Sequence, residues 1–518
     1  MLNNPALSLR DLLGDEYVDA VIRTRHALTG RDLADLEALA TERVEFFPPA
    51  FAARSAELAA RAGEELVAGL PELVAGAPSA SFRAAQNVRG APLGGLGACR
   101  VGQDGRIHIA AKSEHYQLSL GHAFPGYELI DRARALGIPN ATHNNTRGHV
   151  TRVAERALVA TANGVGAHEA DVLIESAPDH ALTRVINLET GSLAAEAALK
   201  MMLDRFRSAG PEAATGSDRV PVFLVMGDLE GGVTANYHGT TVLAQTLRGL
   251  WPQFAQQAAD GGLYRVVPVA INDIADLREK LDRYSSDGFG VAGFCHEIIL
   301  MNYGGVRLEP DYLRAAYDAC HAANVPVFCD EIQSGAWYGE LFLFRRYGLD
   351  PDLVSIGKGF PGGEYPASRV LATAQLDTLA QFGALVTNGQ EELASLSYLV
   401  TMAFVSANGS EIDRVGHRYQ ERLRVLAAEN TDLVAGIDGD GHMGAVVFRD
   451  PGAASAFCHV LDRELGVDIS AQTYKASAPP AALTKLPVIV DDAVVDAIVQ
   501  RMAVALAAVR AGLGAVTR

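Results

Sequence analysis

Between residues 181 and 371, short β-branched runs alternate with helical patterns, and this alternation limits the possible folds more than any other feature of the chain. The runs are TRVINL, VPVFLVMG, VAGFCHEIIL, VPVFCDEI and DLVSIG; helical patterns start at Leu193, after Thr240 and over residues 312–323. Strands separated by helices cannot pair through tight hairpins and need crossovers, which yields a mostly parallel sheet covered on both faces. The predicted class is α/β. Upstream, helical spacing of Ala, Leu, Glu and Arg, as in DLADLEALA at residues 32–40, predicts a helical N-terminal extension interrupted at Pro48 and Pro49. The Gly/Pro-rich stretch GAPLGGLG, residues 90–97, reads as a loop before the alternating strand DGRIHIAA. After about Ser406 longer helices dominate, ending in an amphipathic run over residues 491–513, as expected of a smaller α+β domain.

Composition excludes some partners. Lys and Arg number 44 against 62 Asp and Glu, a net charge of -18 that repels phosphate backbones and anionic lipid, so no nucleic-acid or membrane partner is expected. Cys99, Cys295, Cys320, Cys329 and Cys458 show no CxxC or metal-ligand spacing, so the sequence predicts a reducing, cytoplasmic setting and no metal. The first residues lack a basic stretch followed by an apolar core, and no segment approaches the roughly 18 apolar residues of a membrane span.

The segments VPVFCDEIQSG, residues 325–335, and DLVSIGKGFPGGEYP, residues 352–366, each begin as an apolar strand and end in polar residues. This puts Asp330 and Lys358 at the carboxyl ends of neighbouring strands, where open α/β sheets bind ligands. A desolvated lysine between small residues, here Gly357 and Gly359, can lose its proton and attack an aldehyde to form a Schiff base. An acid one strand away can keep a pyridine nitrogen protonated. Taken alone, the pair reads equally well as an ion pair at a strand end.

The same segments resemble the cofactor signature of the class III (ornithine/GABA-type) aminotransferases, which are pyridoxal 5′-phosphate (PLP) enzymes of fold type I. The family's Asp-Glu-Val-Gln-Thr-Gly, Pro-Asp and Gly/Ala-Lys-Gly/Ala elements match Asp330-Glu331-Ile332-Gln333-Ser334-Gly335, Pro351-Asp352 and Gly357-Lys358-Gly359. By this resemblance Lys358 carries PLP as a Schiff base, Asp330 holds the pyridine nitrogen, and Gln333 lies near the ring hydroxyl. Other segments match in order. Thr190-Gly191-Ser192 opens a helix like the family's phosphate turn, where the backbone of Gly191 and Ser192 would meet the phosphate. Ser192 also reads as an ordinary N-cap. Tyr237-His238-Gly239 resembles the aromatic-His-Gly element whose ring stacks on the cofactor, Glu297 resembles a glutamate that supports the site, and Gly121-His122-Ala123-Phe124-Pro125 resembles the family's Gly-His-x-x-Pro. Thr387 follows the lysine where the family has a threonine that reaches the phosphate of a neighbouring subunit, which implies a homodimer with composite sites. The expected division is a helical extension over 1–95, the N-terminal part of the small domain with the approach to the site over 96–180, the large PLP domain over 181–405, and the C-terminal small domain over 406–518.

Departures bear on the substrate. The arginine that clamps an α-carboxylate near the C-terminus is missing from the stretch that includes Lys475 and Lys485, and the turn after Gly335 is shortened to Ala336-Trp337-Tyr338-Gly339. In Thr142-His143-Asn144-Asn145-Thr146-Arg147, Arg147 replaces a substrate-contacting aromatic and could hold an acidic substrate or lie in a polar surface loop. The function expected is amino transfer from an amine or amino acid to a keto or aldehyde acceptor. The alternative is another PLP outcome on the same scaffold: elimination or replacement at Cβ or Cγ, carbon–carbon bond formation, or an aminomutase.

Overall fold

The computed structural model describes residues 1–80, 89–111, 117–143, 145–209, 219–227, 238–286, 288–472 and 478–512. Tyr237 and Lys475 lie outside the described residues. The chain forms two compact units, one of residues 7–44 and 128–407, the other of residues 1–6, 45–127 and 408–518.

The first unit is built on a seven-stranded sheet: β1 (Leu182–Leu188), β2 (Val220–Met226), β3 (Arg265–Val269), β4 (Phe289–His296), β5 (Val327–Asp330), β6 (Leu353–Ile356) and β7 (Ser368–Thr373). Their order is β1-β7-β6-β5-β4-β2-β3, with β7 antiparallel to both neighbours and all other pairs parallel. The apolar runs of β4, β5 and β6 are buried almost throughout, as strands covered on both faces must be. Helix α1 (Gly191–Asp204) lays Ala194, Ala195, Ala197, Ala198 and Met202 against Phe223, Phe328, Leu353 and Val370. Its alanines let the helix approach closely, and Gly293 in β4 completes the fit, since a Cβ there would lie 2.1 Å from Met202 Sδ. Helix α2 (Pro310–Ala322) precedes β5. The long helix α3 (Glu392–Glu429) passes from this unit into the other.

The second unit holds a four-stranded antiparallel sheet, β8 (Val434–Asp440), β9 (Met443–Phe448), β10 (Ser470–Gln472) and β11 (Ala481–Lys485), in the order β8-β9-β11-β10. Helix α4 (Asp492–Arg510) covers a core of Val495, Ile498, Met502 and Leu506 with Phe457 and Leu461, and the Asp491 carboxylate caps it by accepting from Val494 N at 2.9 Å. Where the sequence predicts a loop, Pro92–Leu96 is a strand paired with Cys99–Gly102. Pairing supplies what propensity lacks, and Gly95 leaves room for the His122 ring, whose Cγ would be 2.4 Å from a Cβ. Pro48 and Pro49 do separate two helices, Leu33–Thr41 and Pro49–Ala60, with Pro49 in the first turn of the second.

All five cysteines are free and buried. Among the described residues, no helix is long and apolar enough to cross a membrane.

Two fully buried histidines make the fold sensitive to acid. His296 donates or accepts at 2.9 Å with the Tyr317 hydroxyl, and His442 gives Nε2–H to Ile412 O at 2.9 Å. Burial pulls each imidazole down from 6.5 to about 4. The unfolded chain therefore binds these protons more readily, so stability present above pH 6.5 is lost as pH falls from 6.5 through 4, by on the order of 3 kcal/mol per histidine. Glu331, pushed up to about 7 by burial, runs the other way: its contribution is complete below pH 4.5 and lost as pH rises through 7. We expect Tm to drop between pH 6.5 and 4.5. His442→Gln, which keeps an N–H donor, should flatten that drop in thermal melts across this range.

Candidate active site

Parallel strands β5 and β6 end side by side. Asp330 pairs in register with Ser355, and Glu331 N–H donates to Ser355 O at 2.9 Å. The chain then turns at Gly357-Lys358-Gly359, where Phe360 N–H closes back on Gly357 O at 3.0 Å. Lys358 sits at φ +37°, a left-handed conformation that a residue with a side chain adopts only when its surroundings force it. The surroundings do so. A Cβ on Gly359 would lie 2.2 Å from the Trp337 ring, and one on Gly357 would lie 3.1 Å from Ile332 Cδ1. Lys358 is half-buried between these two buried glycines.

Asp330 is buried and held on both oxygens. Ser355 Oγ donates to Oδ1 at 2.6 Å and Ile332 N–H to the same atom at 3.1 Å, while His238 Nδ1–H donates to Oδ2 at 2.9 Å. A carboxylate with these donors has one position and one orientation. Ser355 was not among the residues singled out from sequence. The signal available was a lone hydroxyl in an apolar strand, three positions before the lysine.

The start of α1 forms a second wall. Thr190, not Ser192, is the N-cap, accepting from Leu193 N. Ser192 is thereby released: its Oγ accepts Thr240 N–H at 3.0 Å and lies 3.1 Å from Thr240 Oγ1. Gly239 must be glycine, because its φ is +122° and a Cβ would stand 2.8 Å from Ser192 Cα. A helix start with small residues, two hydroxyls and outward-facing amides is suited to a phosphate.

The other expected residues are placed as follows. Glu297 directly follows β4 and is buried, and Gln333 is buried three residues beyond Asp330. Thr387 lies exposed after β7. Arg147 is exposed but ion-paired with the buried Glu155, with its Nε 3.0 Å from Oε2. The other Glu155 oxygen accepts from Asn187 Nδ2 at 2.5 Å, next to the end of β1. Lys485 is buried on β11 of the second unit. Glu331, which the sequence left without a task, accepts from Ser334 Oγ and Leu343 N at 2.9 Å each and from Phe344 N at 2.5 Å. It thus staples the shortened turn whose Trp337 and Tyr338 are buried.

A family model for aminotransferase class-III matches residues 158–506, more than half of the chain. The chain belongs to the class III aminotransferase family. Among relatives, an ornithine aminotransferase of Emericella nidulans is 29% identical over 187 residues, covering 35% of this chain and 40% of that protein. An acetylornithine aminotransferase of Caldanaerobacter subterraneus is 25% identical over 256 residues, covering 48% and 62%. The chain thus matches less than two thirds of the length of these relatives. In fold, a transaminase of the marine bacterium Virgibacillus superposes with a TM-score of 0.66 at 16% identity, covering 85% of this chain and 98% of that one. The ornithine aminotransferase of Toxoplasma gondii gives 0.62 at 20% identity, covering 81% and 90%. The architecture is that of fold type I.

Class III aminotransferases depend on PLP, and the residues present fit that cofactor. A fixed carboxylate stands one strand from a lysine in a forced turn, and a helix start closely packed at Gly191 and Gly239 offers hydroxyls and amides.

Proposed function

We propose that this class III family member transfers an amino group from an amine or amino acid to a keto or aldehyde acceptor, using PLP. The observation that carries the reading is the Asp330 carboxylate, clamped by His238 and by Ser355, a residue of the very strand that delivers Lys358. In this reading Lys358 Nζ would hold the cofactor covalently and Asp330 would hold its pyridine nitrogen. Gln333 would lie by the ring hydroxyl, Glu297 would support the site, and by the family resemblance Tyr237, next to His238 in sequence, would supply the stacking ring. The amides of Gly191 and Ser192 hold the phosphate, with Thr240 alongside. Bound PLP supplies an electron sink for the negative charge left at the substrate Cα. Lys358 Nζ would take up the substrate Cα proton as general base. His238 and Ser355 keep Asp330 from swinging away from the ring nitrogen it serves. The test is to incubate the holoenzyme with a panel of amines and amino acids. Loss of the visible absorption of the lysine-linked cofactor, with formation of pyridoxamine phosphate, is expected for the true donor; no conversion by any of them would overturn the reading.

The proposal includes a homodimer in which Thr387 reaches the neighbour's phosphate. Its exposure supports this, and a monomer keeping full activity at high dilution would contradict it. A cytoplasmic setting is supported by the five free cysteines.

Arg147 is proposed to meet an anionic group of the substrate in place of the missing C-terminal arginine. Arg147→Ala should lower kcat/KM for an acidic substrate by tenfold to a hundredfold, about 1.5–3 kcal/mol, with cofactor binding unchanged. Arg147 also neutralises buried Glu155, so a fall in Tm with kcat/KM within about twofold of wild type would make it a structural partner only.

A further inference from the structure

At the opposite end of the sheet, where β1, β5 and β6 begin, His180, His321 and Asp352 converge. His321 lies in the last turn of α2, Asp352 immediately before β6, and His180 in the turn leading to β1. One ligand atom of each lies within 4.8 Å of the other two. His321 Nε2 is 3.2 Å from Asp352 Oδ2, and His180 Nδ1 is 3.8 Å from Asp352 Oδ1. Ligand atoms held at about 2.1 Å in a tetrahedral zinc site stand roughly 3.4 Å apart; the two separations, one to each oxygen of Asp352 and the shorter a hydrogen bond, lie within a few tenths of an ångström of it. They face a cavity of about 40 Å³. That is room for an ion and a water, since one water needs on the order of 10–15 Å³.

The second nitrogen of His321, Nδ1, has a further carboxylate, Asp350 Oδ2, at 3.7 Å, beyond hydrogen-bond reach but adding negative charge beside the ring. Asp352 is pre-positioned, because Oδ2 also accepts Val327 N–H at 2.8 Å. The two imidazoles are tilted by 44° with centroids 5.0 Å apart, rather than stacked flat. Arg205, the cation on the cavity wall, gives Nη2–H to Asn324 Oδ1 at 2.7 Å, and its charge also acts on the Asp352 carboxylate, which a bound metal would have to outcompete.

We propose that His180, His321 and Asp352 form a binding site for a divalent transition metal of the zinc type, with water as fourth ligand. Two imidazoles and one carboxylate suit Zn²⁺ or its neighbours rather than Mg²⁺ or Ca²⁺, which take oxygen ligands. The site ties the turn before edge strand β1 to the start of β6 and the end of α2. It stands at the amino ends of the strands, so its role is structural and does not depend on the chemistry proposed at their carboxyl ends.

The test is equilibrium dialysis of the purified, chelator-treated holoprotein against Zn²⁺ with metal analysis, for wild type and the His180→Ala, His321→Ala and His417→Ala variants. One Zn²⁺ per chain is expected, with affinity lowered at least tenfold by either of the first two changes and unchanged by the third, which samples an exposed histidine elsewhere. His180→Cys should retain binding through its thiolate. Zn²⁺ should raise Tm in wild type and not in His180→Ala, a readout that also separates this site from zinc held by the cofactor. Absence of saturable binding, or a stoichiometric site that survives His180→Ala or His321→Ala, overturns the proposal.

Discussion

Lys358→Ala should remove the visible absorption of the lysine-linked cofactor and lower amino transfer by at least ~1,000-fold, while leaving Tm within a few degrees of wild type. On the proposed reading the chemical loss is twofold, since one nitrogen would serve as covalent anchor and as base, and a positioned base alone is worth roughly 10²–10⁴ in rate. The fold should survive because Lys358 is only half-buried and its turn is imposed by neighbours: Gly357 and Gly359 packed on Ile332 and Trp337, and the Phe360 N–H to Gly357 O bond. Alanine meets the same left-handed backbone cost as lysine at φ +37°. Borohydride reduction of the wild-type holoenzyme followed by peptide mapping checks the assignment, and cofactor found on any other lysine would sink it.

Asp330→Asn is expected to retain the cofactor but turn over about 1,000-fold more slowly, a loss of ~4 kcal/mol in transition-state stabilisation. The substitution keeps shape but removes the charge that, on the proposed reading, holds a proton on the pyridine nitrogen. It also places an amide where three donors now converge, so His238 Nδ1–H or Ser355 O–H loses its acceptor. Asp330→Ala strands all three donors in a buried site and should lower Tm as well, by an amount set by ~1–3 kcal/mol for each unsatisfied group. Comparing kcat, cofactor occupancy and Tm in the two variants separates the electronic role from the structural one. Unchanged turnover in Asp330→Asn would remove Asp330 from the mechanism.

Much of the candidate site was legible because its signals are local. A fully apolar strand followed at once by polar residues announces a strand end, and Asp330 and Lys358 stand at two such ends. Gly191 and Ser192 stand at a helix start for the same reason. Resemblance supplied the roles, which the spacing alone left open between a cofactor site and an ion pair. Legibility failed where the partner is distant in sequence. Thr190 is the cap, and Ser192, one residue inside the helix, binds Thr240, 48 residues away. Arg147 stands at a position that suggests substrate, but only packing brings it to Glu155.

What the sequence determined by itself is therefore the order of strands and helices, the α/β class and the ends of the strands where chemistry is carried, because periods of 2 and 3.6 residues are written in neighbouring positions. Tertiary structure alone decided the register that sets Ser355 against Asp330, the pairing that turns the glycine-rich Pro92–Leu96 into a strand, and the meeting of His180, His321 and Asp352. The last three residues share no spacing that a metal motif would show, since they come from a turn, a helix end and a strand start. They become neighbours because a parallel sheet gathers the amino ends of strands far apart in the chain along one edge, just as it gathers Asp330 and Lys358 along the other.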